Sequence, residues 1–384
     1  MSINLLNTKG TPLNEQRFTW RDLVQIPIDK LNDDAFTRVR IILMNGIEAE
    51  NIRFQHATAR LSDMEVRLEM AKVRRLDHFQ NILINWLLPA DQSTLETTLG
   101  YEQVAIEITA DVAMREPDSY LAQAYRFGML EDFDHLYRFS ALYDRLFGKD
   151  ANTIIQSYTD IRPGRPTKVE HRAPEDDVRL PYDKNKMSPV SKLHTITIVS
   201  AEHQVRDFYM NIGPMFADPI ARQLYAEIAT IEEQHVTHYE SLEDHRETIL
   251  EKWMLHEATE VYNYWSCVEQ ESNPRVRAIF ERFLDYELGH LHHVMELFKN
   301  KERRDPAEIL PTELPDPIKS ASHREFVRKV LATEIPLTAK GTQFVSKDEE
   351  SRATEDYRAQ LNSEGSPSES VVEGWTPRTE KKAA

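Results

Sequence analysis

Three times along the chain a glutamate is followed 30 residues later by an acidic residue and, three further on, by a histidine. The sets are Glu102/Asp132/His135, Glu202/Glu232/His235 and Glu257/Glu287/His290. With 64 acidic residues and 14 histidines in 384, fewer than one such triplet is expected by chance at a fixed spacing. A carboxylate on one helix and a carboxylate-x-x-His on the next is how helical bundles hold a pair of metal ions. Four carboxylates and two imidazoles around two divalent ions leave coordination positions open to a reactant. Hard oxygen ligands with imidazole suit iron or manganese better than copper, although zinc and cobalt would also fit.

Such residues act together only if helices return them to one height. Glycine is scarce, 11 residues in all, and apolar residues recur at three- and four-residue intervals; both predict helix. Four helical hairpins are expected, over 34–88, 95–147, 192–246 and 249–300. Asp218-Pro219 and Asn273-Pro274 each read as an N-cap followed by a first-turn proline. They lie midway between Glu202 and Glu232 and between Glu257 and Glu287. Arg115-Glu116-Pro117-Asp118 marks the same midpoint between Glu102 and Asp132, and Ser62-Asp63-Met64-Glu65 reads as a capping box in the first hairpin. From Glu202 the chain runs about 15 residues to its turn and about 14 back, so at roughly 1.5 Å per residue both carboxylates regain the same height. His235 then lies one turn past Glu232 on the same face.

Set in order, the hairpins read Asn45, Arg75/His78, Glu102, Asp132/His135, then Glu202, Glu232/His235, Glu257, Glu287/His290. Offsets of 157 and 155 residues between the halves imply a duplicated four-helix unit in an all-α fold. The N-terminal helical unit spans 30–147 and the metal-binding bundle 192–300. Between them, 148–191 carries Pro163, Pro166, Pro174, Pro181 and Pro189 and is expected to be a linker, with a crossover inside one bundle as the competing reading. Residues 301–341 are Pro-rich with a short helix expected at 320–333, and the polar tail 342–384 is expected to be disordered.

Composition sets the frame. The net charge of −17 disfavours nucleic-acid partners and suits a surface that draws in cations. Cys267 is the single cysteine, which excludes internal disulfides and thiolate metal modules. The opening MSINLLNTKGTPLNEQ shows no basic-then-apolar pattern, and no apolar run reaches the ~18 residues of a membrane span. No membrane association and a cytoplasmic location are the expectations.

On the Glu/Glu-x-x-His sets and Glu102/Asp132/His135, the chain resembles the ferritin-like di-iron carboxylate superfamily, over about 95–147 and 192–300. The resemblance implies four-helix bundles, the N-terminal one degenerate, and a centre of two iron ions, with manganese as the alternative. It implies an oxidoreductase that activates oxygen or peroxide; iron uptake or storage is the second reading and a metal-free helical scaffold the third. Members often dimerise, so a homodimer is also implied. The chain departs from the pattern in lacking a cysteine-rich iron module and in leaving only 22 residues between His235 and Glu257, too few for a long crossover. The expected ligand set is Glu202, Glu232, His235, Glu257, Glu287 and His290. The alternative pairs Glu202, Glu232 and His235 with Glu102, Asp132 and His135, using 148–191 as the crossover. In the first arrangement Arg75 would pair with the N-terminal acids, making that unit structural.

Other residues invite weaker readings. His238 and His293 would orient ligands from one turn away or lie at the surface. His203 and His256 should point elsewhere, and Glu260 would add a carboxylate. Tyr239, Tyr262 and Tyr286 are read as helix packing and Cys267 as core.

Overall fold

A computed structural model describes residues 3–378 of the chain. Among these residues the fold is all-helical apart from one small hairpin. The α-helices are α1 (Trp20–Leu23), α2 (Ala35–Ala59), α3 (Met64–Asn85), α4 (Thr94–Arg115), α5 (Ser119–Phe147), α6 (Asn152–Ile155), α7 (Pro189–Ile212), α8 (Pro219–Glu240), α9 (Ile249–Gln270), α10 (Pro274–Glu302), α11 (Arg324–Glu334), α12 (Arg352–Leu361) and α13 (Pro367–Val372). Strands β1 (Leu337–Lys340) and β2 (Gln343–Ser346) form an antiparallel pair around Gly341.

Local chemistry sets the helix starts. Asp118, Asp218 and Asn273 cap α5, α8 and α10 through their side chains, the last two directly before a proline. Ser93 with Glu96 and Thr248 with Glu251 form capping boxes on α4 and α9. In the first hairpin Asp63 alone caps α3, by accepting from the Val66 amide, while Ser62 turns back to the Thr58 carbonyl. The expected box at 62–65 is therefore a single-residue cap.

Pairing of the hairpins differs from the 192–300 arrangement. The first and fourth (α2/α3 and α9/α10) make an outer four-helix group, and the second and third (α4/α5 and α7/α8) an inner one. Helices α2, α4, α7 and α9 are buried along most of their length and join the two groups. Gly46 lets α2 approach α7, since a Cβ there would lie 3.0 Å from the Ser200 carbonyl and closer still to Gln204. Asn45 and Gln204 hydrogen-bond across this contact at 3.0 Å. Asn45 thus belongs to the join between the groups, whereas Arg75 and His78 are exposed.

The 148–191 segment is the crossover from α5 to α7, laid along the inner group. Gly164 sits where an added Cβ would lie 2.3 Å from the Leu130 carbonyl. Its amide donates to Asp134, as do the amide and hydroxyl of Thr167. The tail also departs from expectation within the described residues. Ser366 and Ser368 bond to Glu227 of α8, and Thr354 bonds to Asp176 and to the Ala173 amide. Buried carboxylates supply acceptors that a polar composition does not reveal. Residues 379–384 lie outside the described part.

Helix α11 occupies the expected position and is held to α4 by His323. Its Nδ1 lies 3.1 Å from Glu107 and its Nε2 3.1 Å from Asp111. Burial pushes this imidazole down, but the two carboxylates outweigh it and raise it from 6.5 to about 9. A folded-state value above the unfolded one stabilises fully below about pH 6.5 and is lost as pH rises through about 9. The thermal midpoint should therefore fall over that interval, and His323→Gln should remove that part of the dependence. Superimposable pH profiles for the two proteins would refute the role given to His323.

Candidate metal centre

Glu102 of α4, Asp132 and His135 of α5, Glu202 of α7, and Glu232 and His235 of α8 converge inside the inner group, each with at most 1% exposure. Ligand atoms of Asp132, Glu202, Glu232 and His235 all lie within 4.8 Å of one another, as do those of Glu102, His135 and Glu232. Glu232 belongs to both sets. Its Oε1 lies 3.0 Å from His135 Nδ1 and its Oε2 3.1 Å from His235 Nδ1. The first contact is close enough for an ion pair but lacks hydrogen-bond geometry. Both oxygens of Glu202 and of Asp132, and Oε2 of Glu102, likewise have no hydrogen-bond partner.

The outward faces of the two imidazoles are anchored. His135 Nε2 lies 2.9 Å from Glu170, in the crossover, and His235 Nε2 lies 2.8 Å from Glu131 of α5. A carboxylate there holds the proton on Nε2 and leaves Nδ1 free to ligate. Glu131 is in turn gripped by Arg165 at 2.7 Å and Arg172 at 2.5 Å. Burial alone would raise Glu131, but Arg172, His235 and Arg165 together hold it well below the usual carboxylate range. Tyr209 of α7 donates to Glu102.

Electrostatics at the centre pull in opposite directions. Burial pushes Glu102 and Glu202 well above the ordinary carboxylate range. It would raise Glu232 too, but His135 and His235 prevail and bring it down to about 2. Both imidazoles would be lowered by burial, yet the surrounding carboxylates raise them well above 6.5. Four buried carboxylates carry four negative charges, which two divalent cations would balance once both imidazoles give up a proton to act as neutral ligands.

Of the six expected ligands, Glu202, Glu232 and His235 meet Glu102, Asp132 and His135. Glu257, Glu287 and His290 lie in the outer group, with Glu260 beside Glu257. His238 is buried against Phe127 with ring centroids 5.8 Å apart. His293 lies 3.0 Å from Glu69 at the surface. His203 bonds to Glu50, and His256 stacks on Phe54 at 4.3 Å, both away from the centre. Tyr262 bonds to the Asp316 carbonyl at 2.8 Å and Tyr286 packs on Phe18. Tyr239 is buried, its ring 6.3 Å from that of His235, and Cys267 is a buried free thiol.

Glu131, Glu170 and Tyr209 were not among the expected residues. Tyr209 had a sequence signal, since Glu202/Tyr209 repeats as Glu257/Tyr264. Glu170 had none, because only the path of the crossover brings it to His135.

A surface cavity of about 710 Å³ between α7 and α8 is lined by Tyr209, Met210, Gly213, Tyr225 and Ala229, among others. Tyr209 spans from this cavity to Glu102. No helix among the described residues is long and apolar enough to cross a membrane. Comparison with protein-family models, curated proteins and solved structures finds no match for this chain.

Proposed function

We propose that the chain is an oxidoreductase whose inner four-helix group is a ferritin-like bundle holding two iron ions, with manganese as the alternative, and acting on oxygen or peroxide. The observation that carries the reading is Glu232, whose two oxygens face two different imidazoles and so occupy the position of a bridging carboxylate. Glu102 and Glu202 would each complete one side, Asp132 would add to the His235 side, and His135 and His235 would each fix one ion. The buried oxygens of Glu202, Asp132 and Glu102 that lack hydrogen bonds fit such ions, because without them His235, 3.3 Å from Asp132 and 3.5 Å from Glu202, offsets only part of the cost of their desolvation. When bound, the pair would supply Lewis acidity and redox equivalents toward a small oxidant.

The chain's own residues have separable tasks. Glu131 and Glu170 orient the imidazoles and increase their basicity. Tyr209 holds Glu102 and forms the inner wall of the 710 Å³ cavity, the approach for a small molecule. The crossover and the α13 segment cover α5 and α8 and exclude water.

The test is anaerobic loading with ferrous iron, desalting and elemental analysis, followed by oxygen or peroxide in the presence of a reductant. Retained iron near the inner ligands and repeated turnover are the expected results. A single stoichiometric oxidation would indicate iron storage instead. No retained iron or manganese would leave only the scaffold.

A further inference from the structure

The outer group repeats the inner one with altered chemistry. Asp77 and Asp132, Gln80 and His135, Glu257 and Glu202, Tyr264 and Tyr209, Glu287 and Glu232, and His290 and His235 are each 55 residues apart, while Glu48 and Glu102 are 54 apart. Tyr264 donates to Glu48 as Tyr209 does to Glu102. Two positions differ in kind. Gln80 stands where the second imidazole would be, and Glu260 adds a carboxylate one turn past Glu257.

We propose that the outer group holds a second metal centre of unlike halves, one built on Asp77, Glu287 and His290 and the other an all-oxygen site built on Glu257, Glu260 and Glu287 that takes a hard divalent cation of the manganese type. Ligand atoms within each of these trios lie within 4.8 Å of one another, and Glu287 is common to both. His290 Nδ1 lies 3.1 Å from Asp77 and 3.1 Å from Glu287. Its Nε2 lies 2.9 Å from the Gln16 side-chain oxygen, so the N-terminal segment fixes the tautomer that leaves Nδ1 free.

Neutral donors build the site from behind. Asn51 donates to Glu257 Oε1 at 3.1 Å and to Glu260 Oε2 at 2.7 Å, and Trp253 donates to Glu257 Oε1 at 2.6 Å. Gln55 donates to Asp77 Oδ2 at 2.8 Å. The opposite oxygens, Oε2 of Glu257, Oε1 of Glu260 and Oε2 of Glu48, are buried with no hydrogen-bond partner. Glu48, Asp77, Glu257, Glu260 and Glu287 are all fully buried. Among the described residues no lysine or arginine forms an ion pair with any of them. A bound cation would offset the burial of five carboxylates that share one imidazole, and carboxylate-rich sites lacking a second imidazole suit manganese or magnesium better than softer ions.

The experiment uses the full chain carrying Glu232→Gln, which disables the inner centre, loaded with Mn²⁺ alone and desalted. About two manganese ions per chain should remain. Glu260→Gln and His290→Ala should each remove about one, and Glu287→Gln both. Circular dichroism and a melting curve establish that each variant is folded. If Glu232→Gln does not fold, manganese in the otherwise unaltered chain is compared with that in Glu287→Gln alone, with a loss of about two expected. Retention indifferent to Glu260 and Glu287, or no retained manganese in either background, overturns the proposal. It does not depend on the oxidoreductase reading, which fails separately if the inner ligands retain no ion.

Discussion

Replacing Arg172 with methionine should cost about 3–5 kcal/mol of stability, the penalty of leaving a buried charge without its partner. The guanidinium is 2% exposed, lies 2.5 Å from Glu131 and 3.0 Å from Asp177, and sits 5.1 Å over the Phe127 ring. Methionine fills much of the volume, so the loss is chiefly electrostatic. Arg165 would remain, 2.7 Å from Glu131, but Asp177 would have no ion-pair partner. Against a total stability of roughly 5–15 kcal/mol, the effect is large enough to read directly from a urea midpoint. Asp177→Asn in the same background should recover part of the loss by removing the charge left without an ion-pair partner, a coupling that a double-mutant cycle isolates. A loss below about 1 kcal/mol, typical of a surface ion pair, would refute this account. The variant should also weaken metal retention, since Glu131 orients His235.

Much of the inner centre was legible because its ligands obey one rule. A 30-residue spacing with a capped turn midway fixes height on adjacent antiparallel helices, and Glu102, Asp132, His135, Glu202, Glu232 and His235 all follow it. Height is blind to neighbours, however. Every hairpin returns its acids to a common level, so spacing alone does not decide which hairpins face each other. That choice rests on α2, α4, α7 and α9, buried around most of their circumference, and on the crossover, whose Gly164 and Arg165 dock on α5 at Asp134 and Leu130. The first hairpin was misaligned for a chemical reason. A search for histidine selects exposed His78, whereas the inward position is Gln80, with Asp77 and Glu48 buried beside it. The tail was misjudged because Glu227 and Asp176, its buried anchoring carboxylates, lie far away in sequence.

Glu232→Gln should have the largest effect on chemistry, because Glu232 is the residue common to both halves of the inner centre. The substitution preserves size but replaces one carboxylate oxygen with an amide nitrogen that cannot ligate, and it removes a negative charge between two positive ions. Both halves should therefore fail together, with about two fewer metal ions per chain and oxygen consumption at the level of buffer. Glu202→Gln touches only the half built on His235, and Glu102→Gln only the half built on His135, so each should lose about one ion. That contrast distinguishes a bridge from an ordinary ligand. Glu170→Gln provides a graded comparison, since it leaves every ligand in place and weakens only the anchor of His135; metal affinity should drop about 10–100-fold. Elemental analysis across a dilution series measures all four variants. If Glu232→Gln loses only one ion per chain while Glu102→Gln loses two, the shared position belongs to Glu102, and the assignment of Glu232 as the bridge is wrong.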